Sequence, residues 1–370
     1  MSISRVPGAD NLYVGGIWIL NLESWRSKLY EYNITHVLSV IKFSFENWGE
    51  EAKRFRHMSI DIDDVADSDI LVHFSSAVRF IDGGLYPPPA HGAGPGDVSA
   101  GTADATSPGA VFVHCAMGKS RSVSCVVAYL LYKYPHRFGG KPPTSSPVSA
   151  AQRHKTAKDA VQNALKWVRQ ARSLAEPNDG FMHQLELWWE MGCPADDDSA
   201  VERHPVYQKW LYGNVLKEAR YLNVAPDAED IRFEDEVKWG SEGSEGSEKQ
   251  HDGKEVRCKK CRRMLATPGF VVPHTPVGQL DTPGCAHIFV DTLSWMRPAL
   301  EGGALEGRLS CPNPKCGATV GRFAWQGLEC SCREWVAPAF SLNRGRVDQV
   351  TSRRADAPAI RLPPGRNGSL

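Results

Sequence analysis

VHCAMGKSRS, residues 113–122, decides how the rest of the chain is read. It stands where a buried, β-branched strand (AVFVH, 110–114) gives way to a helix that begins near Ser120 and runs through SVSCVVAYLLYKY. Five residues separate Cys115 from Arg121. A loop of that length can curl so that the backbone N–H groups of Ala116, Met117, Gly118, Lys119, Ser120 and Arg121 converge on one anion, with the helix N-terminus adding partial positive charge. Arg121 can return across the loop and grip two anion oxygens. Cys115 then lies beneath the anion in a field that favours the thiolate, the nucleophilic form. Gly118 permits the tight turn, Ser122 can donate to the sulfur as it leaves, and His114 orients the loop. A merely structural cysteine is the alternative, and Cys125 and Cys193 are read that way. A Walker loop fails because Val113 stands where its first glycine belongs.

Outward from the loop, strands and helices alternate. NLYVGGIWIL (11–20) predicts a strand with a turn at Gly15–Gly16, and Leu22 to Tyr32 a short amphipathic helix. ITHVLSVI (34–41) and FRHMSIDI (55–62) predict strands, the second ending in an acidic turn. Residues 69–82, 155–175 and 181–191 carry helical spacing, the last opened by the PND turn at 177–179. This alternation predicts an α/β domain over 10–200, a central sheet flanked by helices. Gly-, Pro- and Ser-rich stretches at 83–110 and 136–150 read as insertions, the first as a disordered one.

The remaining chain has another chemistry. Residues 201–225 read as a connecting segment. Residues 226–250, with SEGSEGSE at 241–248, read as an acidic Gly/Ser linker. A small separate domain is expected over 256–348, followed by a disordered Arg- and Pro-rich tail from 351 to 370. Of ten cysteines in 370 residues, seven fall here: Cys258, Cys261, Cys285, Cys311, Cys316, Cys330 and Cys332. Closely spaced thiolates read as zinc ligands, not disulfides. Two tetrahedral sites need eight ligands, so a histidine completes the set, His274 in preference to His287. Trp295, Phe323, Trp325, Trp335 and Phe340 are its expected core, with room for one or two of them to face a partner.

Lys plus Arg and Asp plus Glu both number 43, so overall charge does not argue for DNA binding, and no sequence-specific DNA contact is expected. Residues 251–370 nevertheless carry a net charge of +7. RCKKCRR (257–263) is a basic patch able to meet RNA phosphates, or equally the solvated face of a zinc knuckle. No run of 18 apolar residues argues for a membrane span, and Met1 to Asp10 has no apolar signal core, so neither membrane insertion nor secretion is expected.

HCxxGxxRS, NLYVGG (11–16), the acidic turn before DILVHF (69–74) and PNDGFMHQL (177–185) resemble the dual-specificity branch of the cysteine-dependent protein phosphatases. RCKKCRRML, DTLSWM, GRLSCPNPKCGATVGRFAW, CSCREW and PAFSLNRGRVD resemble the zinc-binding region of the dual-specificity phosphatase 12 family and its fungal members. Arg333 departs from that pattern, which has glycine after the last cysteine. The resemblance implies hydrolysis of phosphotyrosine and phosphoserine/threonine in proteins through a cysteinyl-phosphate, with no catalytic metal and with two structural zinc ions in the C-terminal domain. A carboxylic acid must protonate the leaving oxygen. Asp61, Asp63, Asp64, Asp67 and Asp69 are available, and the family spacing, counted back from Phe74, implies Asp64, with Asp63 next. The resemblance further implies large ribosomal subunit maturation through the zinc domain, with pre-ribosomal particles or ribosomal RNA as partners. The implied locations are nucleus and cytoplasm.

Overall fold

A computed structural model describes residues 3–87, 109–142, 150–236, 254–274 and 285–351. The chain divides into two units, Met1–Gln208 and Lys209–Leu370.

The first unit is built on a mixed five-stranded sheet of β1 (Ser4–Arg5), β2 (Leu12–Gly16), β3 (His36–Ser39), β4 (Arg56–Ser59) and β5 (Val111–Cys115), in the order β1-β2-β5-β3-β4. Only β1 runs antiparallel; β5 pairs in parallel with both β2 and β3, so Cys115 ends the central strand. Strand side chains alternate between faces. Tyr13, Val37 and Phe112 pack against Ile19 and Leu20 of α1 (Trp18–Asn21) and Leu29 of α2 (Glu23–Glu31). The other face carries α3 (Phe74–Leu85), α4 (Arg121–Lys133), α5 (Ala150–Arg169) and α6 (Asp179–Glu190). α4 is buried along nearly its whole length, as its apolar run requires.

The second unit begins within α7 (Pro205–Leu222). It holds a three-stranded sheet of β6 (Lys254–Cys258), β7 (Met264–Ala266) and β15 (Val347–Thr351). A five-stranded sheet comprises β8 (Val271–Val272), β9 (His287–Val290), β10 (Glu306–Ser310), β11 (Thr319–Ala324) and β14 (Ala339–Asn343). The short ribbon β12 (Leu328–Glu329) and β13 (Trp335–Val336) completes it. Among the described residues, no helix is long and apolar enough to cross a membrane.

The α/β sheet flanked by helices and the separate Cys/His-rich region are both present. Several boundaries differ. The strand expected over 11–20 stops at Gly16 and becomes helical from Trp18, because the chain turns against the 113–122 loop: a Cβ on Gly16 would lie 3.0 Å from the Ala116 carbonyl oxygen. The insertion read from 83 starts later, since α3 runs to Leu85 and Gly84 abuts Val111 and His36; positions 88–108 lie outside the described residues. In the 136–150 stretch Phe138 is buried, and 143–149 lie outside the described residues. The helix expected over 155–175 spans Ala150–Arg169. Much of the segment read as a connection is the 18-residue helix α7. The acidic stretch read as a linker from 226 carries Ile231 and Phe233, both buried in the second unit's core with Val256, Leu309 and Phe323, while 237–253 lie outside the described residues. Trp325, Phe323 and Phe340 are core as expected, Trp295 is partly buried, and Trp335 is 62% exposed. Of the tail, Thr351 closes β15; 352–370 lie outside the described residues.

Candidate active site and metal centres

Cys115 is 1% exposed, and its sulfur accepts hydrogen bonds from the Gly118 backbone N–H at 3.2 Å and the Ser122 hydroxyl at 3.3 Å. The loop between β5 and α4 closes over it because Gly118 adopts φ +68°, the left-handed region where a Cβ is costly. A side chain at 118 would also strike the Gly15 backbone at 2.3 Å. The loop is held from both sides. Ile17 N–H donates to the Ala116 carbonyl at 3.2 Å, while Lys119 pairs with Glu176 at 2.6 Å and accepts the Glu176 N–H at 2.8 Å. Met117 is 52% exposed at the loop's outer edge.

Arg121 is 8% exposed and folds back over the loop. Its Nη1 donates to the Ile62 carbonyl at 2.9 Å, its Nε lies 3.6 Å from Asp64 Oδ2, and Nε, though buried, makes no hydrogen bond. Asp64 is the one of the five candidate acids that the structure brings to the loop. Its Oδ1 accepts from the Ser120 hydroxyl at 2.6 Å and from Asn178 Nδ2 at 3.0 Å. Asp69 is used differently: Oδ1 accepts the Val72 N–H at 3.2 Å and Oδ2 the Tyr207 hydroxyl at 2.6 Å. His114 is fully buried, its Nε2 is 2.6 Å from the Ser39 hydroxyl, and burial pushes its pKa down to about 3, so it is neutral near pH 7. Cys125 and Cys193 are also buried; burial raises both thiols, Cys193 to about 12, which leaves them inert.

Two residues at this site escape sequence reasoning. Arg172, 4% exposed, donates from Nε to the Gly118 carbonyl and from Nη2 to the Met117 carbonyl at 2.9 Å. Two loop carbonyls are thus turned away from the sulfur side, leaving N–H groups to face it. Asn178 belongs to the PND turn, which signals a helix start; it does cap α6, accepting the Phe181 N–H at 2.9 Å, and its amide also reaches Asp64. No sequence signal distinguishes Arg172 from a solvated helix-end arginine.

The second unit gathers its cysteines into two groups: Cys258, Cys261, Cys311 and Cys316 in one, His274, Cys285, Cys330 and Cys332 in the other, ligand atoms within 4.8 Å of one another in each. In the first, Cys258 and Cys316 sulfurs lie 3.9 Å apart and Cys261 and Cys311 sulfurs 3.5 Å apart. Tetrahedral zinc with bonds of about 2.3 Å places neighbouring sulfurs about 3.8 Å apart, so this set fits the ion. Within this set the Arg263 backbone pulls the Cys261 thiol down while burial pushes Cys311 up. In the second, His274 Nε2 is 3.0 Å from Cys285 Sγ. His287 stands apart, its Nδ1 2.7 Å from the Ser341 hydroxyl. Four sulfurs in one group and three with an imidazole in the other are zinc-type donor sets.

The family described as the Rit1 DUSP-like domain matches residues 97–186. The tyrosine-protein phosphatase YVH1 of Saccharomyces cerevisiae is 31% identical, over 94% of this chain and 91% of its own. The Schizosaccharomyces pombe yvh1 phosphatase is 32% identical over 80% of this chain and 71% of its own. Human dual specificity protein phosphatase 12 is 28% identical over 65% and 64%. Among solved structures, the Yvh1 phosphatase domain from Chaetomium thermophilum is 48% identical and covers 53% of this chain and all of that one, with a TM-score of 0.42. With an identity of 31% sustained over nearly its whole length, the chain belongs to the YVH1-related dual-specificity protein phosphatases.

Proposed function

We propose that the chain, of the same type as dual-specificity phosphatase 12, hydrolyses phosphotyrosine and phosphoserine/threonine in proteins through a cysteinyl-phosphate on Cys115. The observation that carries this reading is the placement of Cys115 Sγ beneath the Gly118 N–H and the Ser122 hydroxyl, with the orphaned Arg121 Nε and the Asp64 carboxyl on the open side. The N–H groups of 116–121 and the Arg121 guanidinium hold the phosphoryl oxygens and take up charge as it develops. Cys115 sulfur attacks phosphorus in line, and the bond to the leaving oxygen breaks. Asp64 donates its proton to that oxygen, then accepts one from the water that cleaves the S–P bond. Ser122 donates to the departing sulfur. His114 positions the loop, and positive charge from Arg121 and the N–H groups does the work a catalytic metal would otherwise do.

The zinc module supports a second role. Two structural zinc ions, one in each Cys/His group, would supply folding energy to that unit. Its relatives' family resemblance and the +7 charge of residues 251–370 favour work on maturing large ribosomal subunits in nucleus and cytoplasm, with the phosphatase activity dispensable for it. The test separates the two. Purified protein is expected to hydrolyse an aryl phosphate without added metal, and C115S to lose that activity. C115S full-length chain is expected to restore growth to cells lacking the protein, and a fragment ending at Gln208 to fail. Full hydrolysis by C115S would sink the enzymatic reading; rescue by the catalytic fragment but not by C115S would sink the ribosomal one.

A further inference from the structure

Ser39 ends β3, fully buried, and its hydroxyl meets two imidazoles: His114 Nε2 at 2.6 Å and His57 Nε2 at 2.8 Å. His114 directly precedes Cys115 on β5; His57 lies on β4 beyond Ser39. A hydroxyl has one proton to give. It can donate to one of these nitrogens and must accept from the other, so the two rings cannot place their protons independently. Either His57 Nε2–H donates to Ser39 and Ser39 donates to His114 Nε2, or the whole sequence reverses.

The His114 ring has this one contact to settle its tautomer: its other nitrogen, Nδ1, is buried and makes no hydrogen bond to a described residue. Nε2 of His114 therefore carries a proton only when Nε2 of His57 does not, because Ser39 stands between them. The geometry points to His57 and Ser39 as positioning residues that decide which nitrogen of His114 carries its proton, and so how the backbone of Cys115 is held. The step from that backbone to turnover rests on the phosphatase reading above.

The surroundings leave His57 to this task. Phe43 and Phe45 cover its ring edge-on, with centroids at 5.8 and 4.7 Å. The titratable group coupled to it is His114, and Arg56, its neighbour on β4, acts on His36 instead. Burial lowers the pKa of His57 as well as that of His114, so both rings are neutral near pH 7 and the choice of tautomer is real. Below its lowered pKa, a protonated His57 can only donate through Nε2, which makes Ser39 the donor to His114.

Imidazole nitrogen–proton NMR of the full chain reads the tautomers directly and needs no turnover. The expected spectrum has a proton on Nε2 of one ring and on Nδ1 of the other; protons on both Nε2 nitrogens, or on neither, would overturn the assignment. Kinetics with an aryl phosphate give the second reading. H57F keeps the ring packing but removes the partner of Ser39, and is expected to lower kcat/KM roughly fivefold, the scale of one buried hydrogen bond, and to alter the acidic limb of its pH profile, where the nucleophile must lose its proton. H57Q, which retains an N–H donor, is expected to restore both. S39A combined with H57F is expected to be no worse than S39A alone. Wild-type rate and pH profile in H57F, or equal losses in H57F and H57Q, would overturn the positioning role.

Discussion

Asn178 Nδ2 donates to Asp64 Oδ1 at 3.0 Å while the Ser120 hydroxyl donates to the same oxygen at 2.6 Å. One carboxyl oxygen is thereby anchored by the segment that opens α6 and by the anion loop itself, and the other is left facing Arg121. In the proposed mechanism this hold aims Asp64 at the phosphoryl group on the loop. D64N is expected to lower turnover of alkyl phosphates about 10²–10⁴-fold and to affect an ester of a strongly acidic phenol far less, since that leaving group departs without a proton. N178A is expected to show the same leaving-group dependence in weaker form. If D63N shows it and D64N does not, the acid is the neighbouring residue.

Arg172 brings a positive charge and a rigid fork to carbonyls that no other described side chain is seen to bind. Burial lowers its pKa, against the raising influence of Cys115. R172M removes charge-assisted bonds and leaves the Met117 and Gly118 carbonyls without these donors, with an expected loss of roughly 2–3 kcal/mol in urea unfolding of the first unit. Weaker competitive inhibition by inorganic phosphate should accompany it, because the loop N–H groups lose their fixed direction. Destabilisation with unchanged phosphate inhibition would make Arg172 a packing residue and nothing more.

The parts legible in the sequence are those whose chemistry is local. Cys115, Gly118, Arg121 and Ser122 lie within eight residues, and the cysteine pairs declare themselves by spacing, so the loop and the ligand candidates could be read without a fold. Asp64 needed the family spacing, since five carboxylates crowd one turn. Arg172 and Ser39 were not legible, because Arg172 reaches the loop from more than fifty residues away and Ser39 meets His114 and His57 only once β3 is seated between β5 and β4. Composition also misled: the acidic stretch from 226 hides Ile231 and Phe233 among carboxylates, and average polarity cannot show that two side chains find a core.

Asp291 gives the second unit a pH signature. Burial, reinforced by Glu234 and opposed by Lys209, raises its carboxyl from 3.8 to about 6. The fold favours the protonated form, so this contribution is fully present below the unfolded value near 3.8 and is lost as pH rises through about 6. D291N removes the cost of the charge. At pH 8 the variant is expected to melt about 2–4 °C above wild type, with the difference vanishing toward pH 4.5. Comparing variant and wild type at matched pH cancels the titration of thiolate and imidazole ligands common to both. A difference independent of pH would show that Asp291 is solvated as an ordinary carboxylate.

The zinc prediction depends on where the second unit is cut. Ile231 and Phe233 are 7% and 4% exposed in the same core as Cys258, Cys311 and Trp325, and Leu216 of α7 packs against it. A fragment beginning at 250 discards all three, and loss of a buried aromatic alone costs roughly 3–5 kcal/mol, enough to threaten a small unit. The fragment beginning at Lys209 is therefore expected to fold and to carry two zinc ions by native mass spectrometry, whereas 250–370 is expected to melt lower or lose metal more readily. Within the longer fragment, H274A should cost one ion, because His274 Nε2 faces Cys285, and H287A none, because His287 is engaged with Ser341. Thorough chelation should unfold the fragment, since its strands are short and its two groups of thiolates would be left to repel one another. One zinc in the longer fragment, retained folding after chelation, or an ion lost from H287A instead of H274A would each contradict this ligand set.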